Sequence, residues 1–469
     1  MSFLSPNPLH HSPGFRRRRF MNWFPLGLTY ATMYMGRYNF NLIKNDIGAW
    51  YHLDKAQMGL IATFGFWTYG LSVIINGPLA DRIGGRKAIL IGSLGAGMLN
   101  LAVGLMFFNG WTAHVLWNMS WLWSLNMYFQ SFGALSVVKV NSTWFHVRER
   151  GIFGGIFGIM ISSGYFLATT IGSVLLASFA NWNVIWFVPA AAMVTMFLVD
   201  LWLVRNRPSH AGHADFDTGD GSNAHHAEDA PLALKDLLAK VFSNPVIVFL
   251  IFAEFCTGFV RQGVMLYFTE YLAEVYHLPK TNVLFWWTGV AFMLGGIFGG
   301  LLCGWMSDNL FQSRRPPVAF IFYLVQVVML ALLGFSLGRG TWLGQLWAIV
   351  LLGLTAMFIF GVHGMLSGTA SMDFGGRKAA ATVAGALDGV QYVGSGLTGF
   401  GLGWVLKTYG WDGVAVAGHT PAHAWIWVVC IIPFSLVGAF IMTRIWKARP
   451  GYAAHGRPPV CAGDAPLRP

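Results

Sequence analysis

Apolar stretches long enough to cross a hydrocarbon core of about 30 Å recur along almost the whole chain. They fall near 23–43, 58–80, 88–108, 115–140, 152–179, 184–204, 246–272, 284–306, 316–337, 343–366, 379–406 and 424–445. In lipid every backbone N–H and C=O must be satisfied internally, which leaves helices or a closed barrel, and runs this long and apolar are helices. The pattern predicts an all-α membrane protein of about twelve transmembrane helices. With 55% hydrophobic residues and only 10% charged, and a mean hydropathy of +0.55, an ordinary soluble domain is excluded. Fifty-seven glycines suit close helix–helix approach, where small residues let backbones meet.

The formal charge of +11 could suggest nucleic acid, but its placement argues against that. Basic residues cluster at Arg16–Arg19, Arg82/Arg86/Lys87, Arg148/Arg150, Arg314/Arg315, Arg377/Lys378 and Arg444/Lys447/Arg449. Each cluster follows an even-numbered span or flanks a terminus, and the loops between are nearly free of charge. This is the positive-inside pattern, which puts both termini in the cytoplasm and makes the lipid bilayer, not nucleic acid, the large partner. The arginine run before the first span is followed by no small-residue cleavage site, so it does not read as a secretory signal. Cys256, Cys303, Cys430 and Cys461 have no disulfide or metal-site spacing.

One long polar stretch, 206–230, divides six spans from six. The expected organisation is an N-terminal half (1–205), a cytoplasmic linker (206–245) with an amphipathic segment at 231–242, a C-terminal half (246–448) and a tail (449–469). The linker histidines His210, His213, His225 and His226 read as part of a solvated loop. A weak repeat relates the halves. Gly77-Pro-Leu-Ala-Asp81-Arg82-Ile-Gly-Gly-Arg86-Lys87 follows the second span, and Gly304-Trp-Met-Ser-Asp308 with Arg314 and Arg315 follows the eighth. The first loop resembles the signature G-x-L-A-D-R-x-G-R-K of the major facilitator superfamily. That resemblance implies two pseudo-symmetric six-helix bundles, with Gly77, Asp81, Arg82, Arg86 and Asp308 acting in the conformational switch.

Two arginines sit near the middle of spans in matching places, Arg37 in the first and Arg261 in the seventh. A cation at the bilayer centre costs roughly 2.5–3.5 kcal/mol even on the lenient insertion scale, so it needs a reason. A central cavity built to hold an anion supplies one; a structural ion pair is the alternative. A guanidinium stays charged and offers a planar fork of donors, so two can clamp one dianion. Tyr30, Tyr34, Arg37 and Asn41 share one helical face, with Tyr38 and Asn39 off it. The tyrosines either line the cavity or pack between helices.

The segment Tyr34-Met-Gly-Arg37-Tyr38-Asn39-Phe40 resembles the R-x-N-F signature of the organophosphate:phosphate antiporter family. Arg261-Gln-Gly263 followed by Thr-Glu-Tyr271-Leu272, the run Leu301 to Asp308, Trp144-Phe with Arg148-Glu149-Arg150-Gly151, and Gly410-Trp411-Asp412-Gly413 are similar to it too. The resemblance implies that Arg37 and Arg261 bind the phosphoryl group and that a phosphorylated metabolite is exchanged for inorganic phosphate. Several charged positions of the family fall on Tyr38, Val73, Ile161, Leu266 and Met293. The clamp is kept and much of its charged surround is lost, which puts glycerol-3-phosphate in doubt.

Other ionisable groups stand instead: Glu254 on the face of Arg261, Asp388 with Tyr392 on its face in the eleventh span, His363 in the tenth and Lys139 near the inner end of the fourth. Such carboxylates bind a substrate amine, carry a coupling proton or neutralise the arginines. His363 either faces the pore or is satisfied in packing, and Lys139, which matches a basic position of the family, serves either coupling or charge balance or helix-end pairing. No phosphate-cradling loop or nucleophile–base set is recognisable, so neither an enzyme nor a cofactor is expected. Two other readings stay open: a proton-coupled organic anion symporter and a non-transporting sugar-phosphate sensor. A monomer in a bacterial inner membrane is expected.

Overall fold

A computed structural model of the protein describes residues 11–146, 159–160, 162–216, 242–416 and 418–448, without the side chains of Asp81, Thr369 and 371–382. Expectations placed on 217–241 (with His225 and His226), on Arg148, Arg150 and Ile161, on 449–469 and on the side chains of Asp81, Arg377 and Lys378 lie outside those residues.

The described chain is helical: α1 (Pro13–Trp50), α2 (Lys55–Ile83), α3 (Gly85–Phe108), α4 (Val115–Gln130), α5 (Phe132–Trp144), α6 (Gly172–Ser178), α7 (Val184–Leu203), α8 (Pro245–Met265), α9 (Val283–Leu310), α10 (Arg315–Phe335), α11 (Trp342–His363), α12 (Ser371–Tyr409) and α13 (Trp425–Arg444). Local chemistry places several starts. Ser12 Oγ accepts from Phe15 N–H at 3.2 Å with Pro13 leading α1. Asp54 and Gln57 form a reciprocal capping box on α2, and Asn244 followed by Pro245 opens α8. Each cap satisfies N–H groups that a helix start leaves orphaned.

Among the described residues, eight helices are long and apolar enough to cross a membrane, and they carry eight of the twelve expected spans. The first span lies within α1, where Arg37, Lys44 and several tyrosines and asparagines lower its apolarity. The fourth is broken at Ser131, between α4 and α5. The fifth is described only from residue 159 and contains a π turn, Leu167–Ile171. The eleventh lies inside α12.

Within the N-terminal half, α3 packs on α7, α2 on α4 and α1 on α7; within the C-terminal half, α9 packs on α11, α8 on α12 and α10 on α13. The halves meet chiefly where α2 lies along α12 and where the 167–171 turn meets α9. Glycines make the α2–α12 contact possible. A Cβ on Gly59 would stand 1.9 Å from the Gly399 carbonyl oxygen, and one on Gly70 would stand 2.8 Å from that of Gly389. Thr63 Oγ1 donates to Gly396 O at 2.6 Å across the same seam.

Ion pairs close the end of the bundle remote from the N-terminus of α1. Lys44–Glu270 (3.1 Å), Lys55–Glu274 (2.6 Å), Lys407–Asp54 (2.8 Å) and Lys280–Asp46 all join one half to the other. Asp54 lies outside the spans. Burial pushes its carboxyl up, but the hydrogen bonds from Lys407 and from the Gln57 backbone outweigh this and hold it below the usual range. Lys44 and Glu270 are each only 2% exposed, so their pair is unlike the three wetter ones.

Two outcomes are expected. Lys44→Met should destabilise this conformation by about 3–5 kcal/mol, because it strands a buried carboxylate, and Lys44→Met/Glu270→Leu should recover most of that; thermal unfolding of the single and double variants checks it. Gly59→Val should lower the unfolding temperature through overpacking of about 1–3 kcal/mol. Gly77→Ala, with nothing within 4 Å of the added Cβ, should leave it nearly unchanged.

Candidate functional site

The guanidinium of Arg37 lies at the middle of the bundle, 2% exposed. A network of asparagines sets its backbone. Asn39 Nδ2 donates to Asn100 Oδ1 (2.8 Å) and to Ile185 O (3.0 Å), while Asn100 and Asn126 both donate to the carbonyl of Gly36, at 3.1 and 3.2 Å. Asn39, off the Tyr30–Asn41 face, thus turns toward α3 and α7, and the network holds the backbone one residue before Arg37.

The break in the fourth span serves the same group. Arg37 Nη2 donates to Gln130 O at 3.3 Å and Gln130 Oε1 at 3.4 Å, where α4 ends. Backbone freed inside a membrane is tolerated where protein or cavity groups re-satisfy it. The guanidinium carbon is 4.6 Å from the Tyr34 ring centre and 4.5 Å from that of Tyr69. Nη1 donates to Tyr392 Oη at 3.2 Å.

Arg261, also 2% exposed, approaches from the other half. Its Nη2 donates to Gln391 Oε1 at 3.1 Å and its carbon lies 5.3 Å from the Tyr392 ring centre. Tyr392 is therefore shared by both arginines. Tyr38 belongs to the same wall despite its helical phase: it accepts from Tyr165 Oη (2.9 Å) and from Gln262 Nε2 (3.3 Å). Tyr30 stacks edge-on against Tyr34 at 5.1 Å.

Among the described residues no carboxylate lies within ion-pair distance of either arginine, and the Nε of each is buried without a hydrogen-bond partner. Desolvating a guanidinium costs several kcal/mol even after relaxation. Two desolvated cation–π contacts of about 2 kcal/mol each and hydrogen bonds of about 1.5–3 kcal/mol to a charged group roughly offset that for Arg37. The charge is tolerated but left unneutralised. A structural ion pair, the alternative reading of these arginines, is not what the described residues form.

Glu254 does not reach Arg261. Its Oε2 lies 3.3 Å from His363 Nδ1, and its Oε1 is buried with no partner. Asp388 is half-buried near His363, Arg261, Glu254 and Arg37. Asn41 is a strut between halves: its Nδ2 donates to Met265 O at 3.0 Å and its carbonyl accepts from Thr269. Lys139 packs beside Gly85 at the turn from α2 to α3, away from the arginines.

Residues 26–399 match the Major Facilitator Superfamily. The chain belongs to that superfamily. It is thus an integral, multi-pass membrane protein of a transporter family and not an enzyme. Among curated proteins it is 29% identical over 396 residues to the membrane sensor protein UhpC of Salmonella typhimurium, covering 82% of this chain and 85% of that one. It is 28% identical to a probable hexose phosphate transport protein of Chlamydia muridarum (83% and 85% covered) and 27% identical to the glycerol-3-phosphate transporter of Bacillus subtilis (85% and 88%). These relatives agree with the organophosphate:phosphate antiporter resemblance. A bacterial homologue of the human lysosomal transporter Spinster, solved inward-facing and unoccupied, superposes with a TM-score of 0.70 at 16% identity, over 93% of this chain and 98% of that one.

Of the superfamily loop residues, Arg86 Nη2 donates to Leu201 O at 2.5 Å, where α7 ends. Its backbone N–H is held by Asn206. Arg82 is exposed. In the second loop Asp308 pairs with Arg315 at 2.8 Å and accepts from Ser313. Gly77 meets nothing a Cβ would displace.

Tyr69, Tyr165, Gln130, Gln262 and Gln391 escaped the sequence reading, as did the Lys44–Glu270 pair. The signal for Tyr69 was present: it stands one helical turn before Val73, a position already tied to the family's pocket. Nothing local marked the glutamines.

Arg37→Lys and Arg261→Lys should each reduce anion flux or binding by more than about a hundredfold, because an ammonium cannot reproduce the fork. Unchanged thermal unfolding of both variants would separate this loss from misfolding, and wild-type flux in either would refute the clamp.

Proposed function

We propose that this chain is a secondary active transporter that exchanges a small phosphorylated metabolite, or a similar organic anion, for inorganic phosphate by alternating access. The observation that carries the reading is the pair of buried, unneutralised guanidinium groups, one from each half, converging on Tyr392. One oxyanion held between them neutralises both and ties the halves together. Without it, two like charges face each other in low dielectric, so reorientation is easier loaded than empty. That difference is a physical route to obligate exchange.

With both termini in the cytoplasm, as the basic loops indicate, the ion-paired end faces outward and the site is closed on that side. A bacterial inner membrane suits this arrangement, and the monomer is the transporting unit. Arg37 and Arg261 bind the phosphoryl group; Tyr34, Tyr38, Tyr69 and Tyr392 shape its cage. The relatives named as hexose phosphate and glycerol-3-phosphate transporters support a phosphate ester as cargo. UhpC favours a second reading, in which the clamp binds a sugar phosphate to signal rather than to move it.

Reconstituted into phosphate-loaded liposomes, the protein should take up labelled phosphate only when internal phosphate is present, and should keep doing so after the pH gradient is collapsed. Uptake that instead follows the pH gradient would assign proton coupling. Ligand binding with no flux would assign the sensor.

A further inference from the structure

Three arginines meet at the foot of α7, away from the clamp. Arg18 Nη2, from α1, donates to Leu203 O at 2.6 Å, and Arg86 Nη2, from α3, donates to Leu201 O at 2.5 Å. Arg205 Nη1 donates to Val204 O at 2.9 Å and lies 3.5 Å from the same Leu201 O. The carbonyls at a helix C-terminus carry roughly half a negative charge, far less than three guanidinium groups bring. Among the described residues no carboxylate pairs with any of the three, and Arg18 Nη1 and Arg86 Nε have no acceptor. Asp200, the acidic residue of α7, accepts from Thr29 instead, at 2.7 Å. The surface beside the cluster is apolar. Phe20 and Phe24 of α1 and Leu198, Leu201 and Trp202 of α7 are exposed, Trp202 at 77%, on two helices that pack together.

We propose that this cluster binds the phosphodiester of an anionic phospholipid whose acyl chains lie along the exposed faces of α1 and α7. The inference takes from the reading above only the placement of this end at the inner leaflet.

Capping alone does not account for the cluster. The last carbonyls of a helix need hydrogen bonds, which neutral donors supply as well, and do not need three net charges. A guanidinium fork matches phosphate oxygens, and basic pockets between helices at the cytoplasmic face suit acidic headgroups. Charge selects among the lipids. A phosphatidylcholine or phosphatidylethanolamine headgroup brings its own cation and leaves the cluster uncompensated, whereas phosphatidylglycerol brings a net negative charge. A soluble phosphate matches the charge but gains nothing from the apolar face beside it. Trp202 stands at the helix end, the depth at which tryptophans sit at the membrane–water interface.

The test is native mass spectrometry of the purified full-length protein in detergent, titrated with phosphatidylglycerol or with phosphatidylcholine of the same acyl chains. Phosphatidylglycerol should bind at least about tenfold more tightly. The double variant Arg18→Gln/Arg205→Gln keeps amide donors for the carbonyls and removes two charges; it should lose at least about tenfold of that affinity. Arg444→Gln/Lys447→Gln removes two charges at the foot of α13 and should stay within about twofold of the wild type. Equal affinities for the two lipids in the wild type would overturn the site. Equal losses in the two double variants would also overturn it, assigning the preference to general attraction by a basic face. Displacement of the lipid by equimolar glycerophosphoglycerol would give the cluster to a soluble phosphate instead. Should the first double variant fail to fold, Arg18→Gln alone gives the same reading at about fivefold. None of these readouts involves flux, so the clamp stands or falls separately.

Discussion

A guanidinium that must stay charged at the centre of a bilayer dictates much of what surrounds it. Arg37 cannot shed its proton as a lysine could, so the protein has to supply dipoles and π-faces in place of water. The asparagine network that pins the Gly36 carbonyl, the helix break at Ser131 that presents the Gln130 carbonyl, and the rings of Tyr34 and Tyr69 all serve that end. Arg261 meets the same demand from the other half with Gln391 and Tyr392. Neutral partners solvate a charge without cancelling it, which leaves both guanidinium groups charged and unpaired with any described carboxylate.

Closure of the far end uses a different chemistry suited to reversal. Three of its four lysine–carboxylate pairs are partly exposed, and exposed pairs are worth about 0–1 kcal/mol because water rewards their separation almost as well. Lys44–Glu270 is the exception, dry enough to resist opening. The glycine seam of α2 and α12 adds close backbone contact, with Thr63, Trp67 and Ile74 of α2 fitted against glycines of α12. Such a surface can part and re-form without repacking either half, as alternating access by rigid rocking requires.

Much of this was legible in the chain itself. Twelve apolar runs and the placement of arginines in loops indicated a helical bundle of the facilitator kind, because bilayer thickness and charge translocation act on composition directly. Arg37 and Arg261 stood out because a cation in an apolar run violates a strong rule. Tyr34 and Tyr392 followed from helical phase. Glu254 shares the helical phase of Arg261, yet two turns of separation carry it to His363 instead. Tyr38 was placed off the face, but the cage surrounds the cavity more widely than one helical stripe. Asn41 shared the stripe and was spent as a strut on Met265.

The sequence by itself determined the class of fold and the presence of two arginines in mid-span, since both follow from the energetics of single groups in lipid. Only the tertiary structure decided that no described carboxylate pairs with the arginines, that Tyr392 is common to both, and that four lysine–carboxylate pairs close one end. Those are relations between residues hundreds of positions apart, on helices whose rotation about their own axes is set by packing. Hydropathy along a chain reports depth in the membrane; it carries no information about which way a helix is turned.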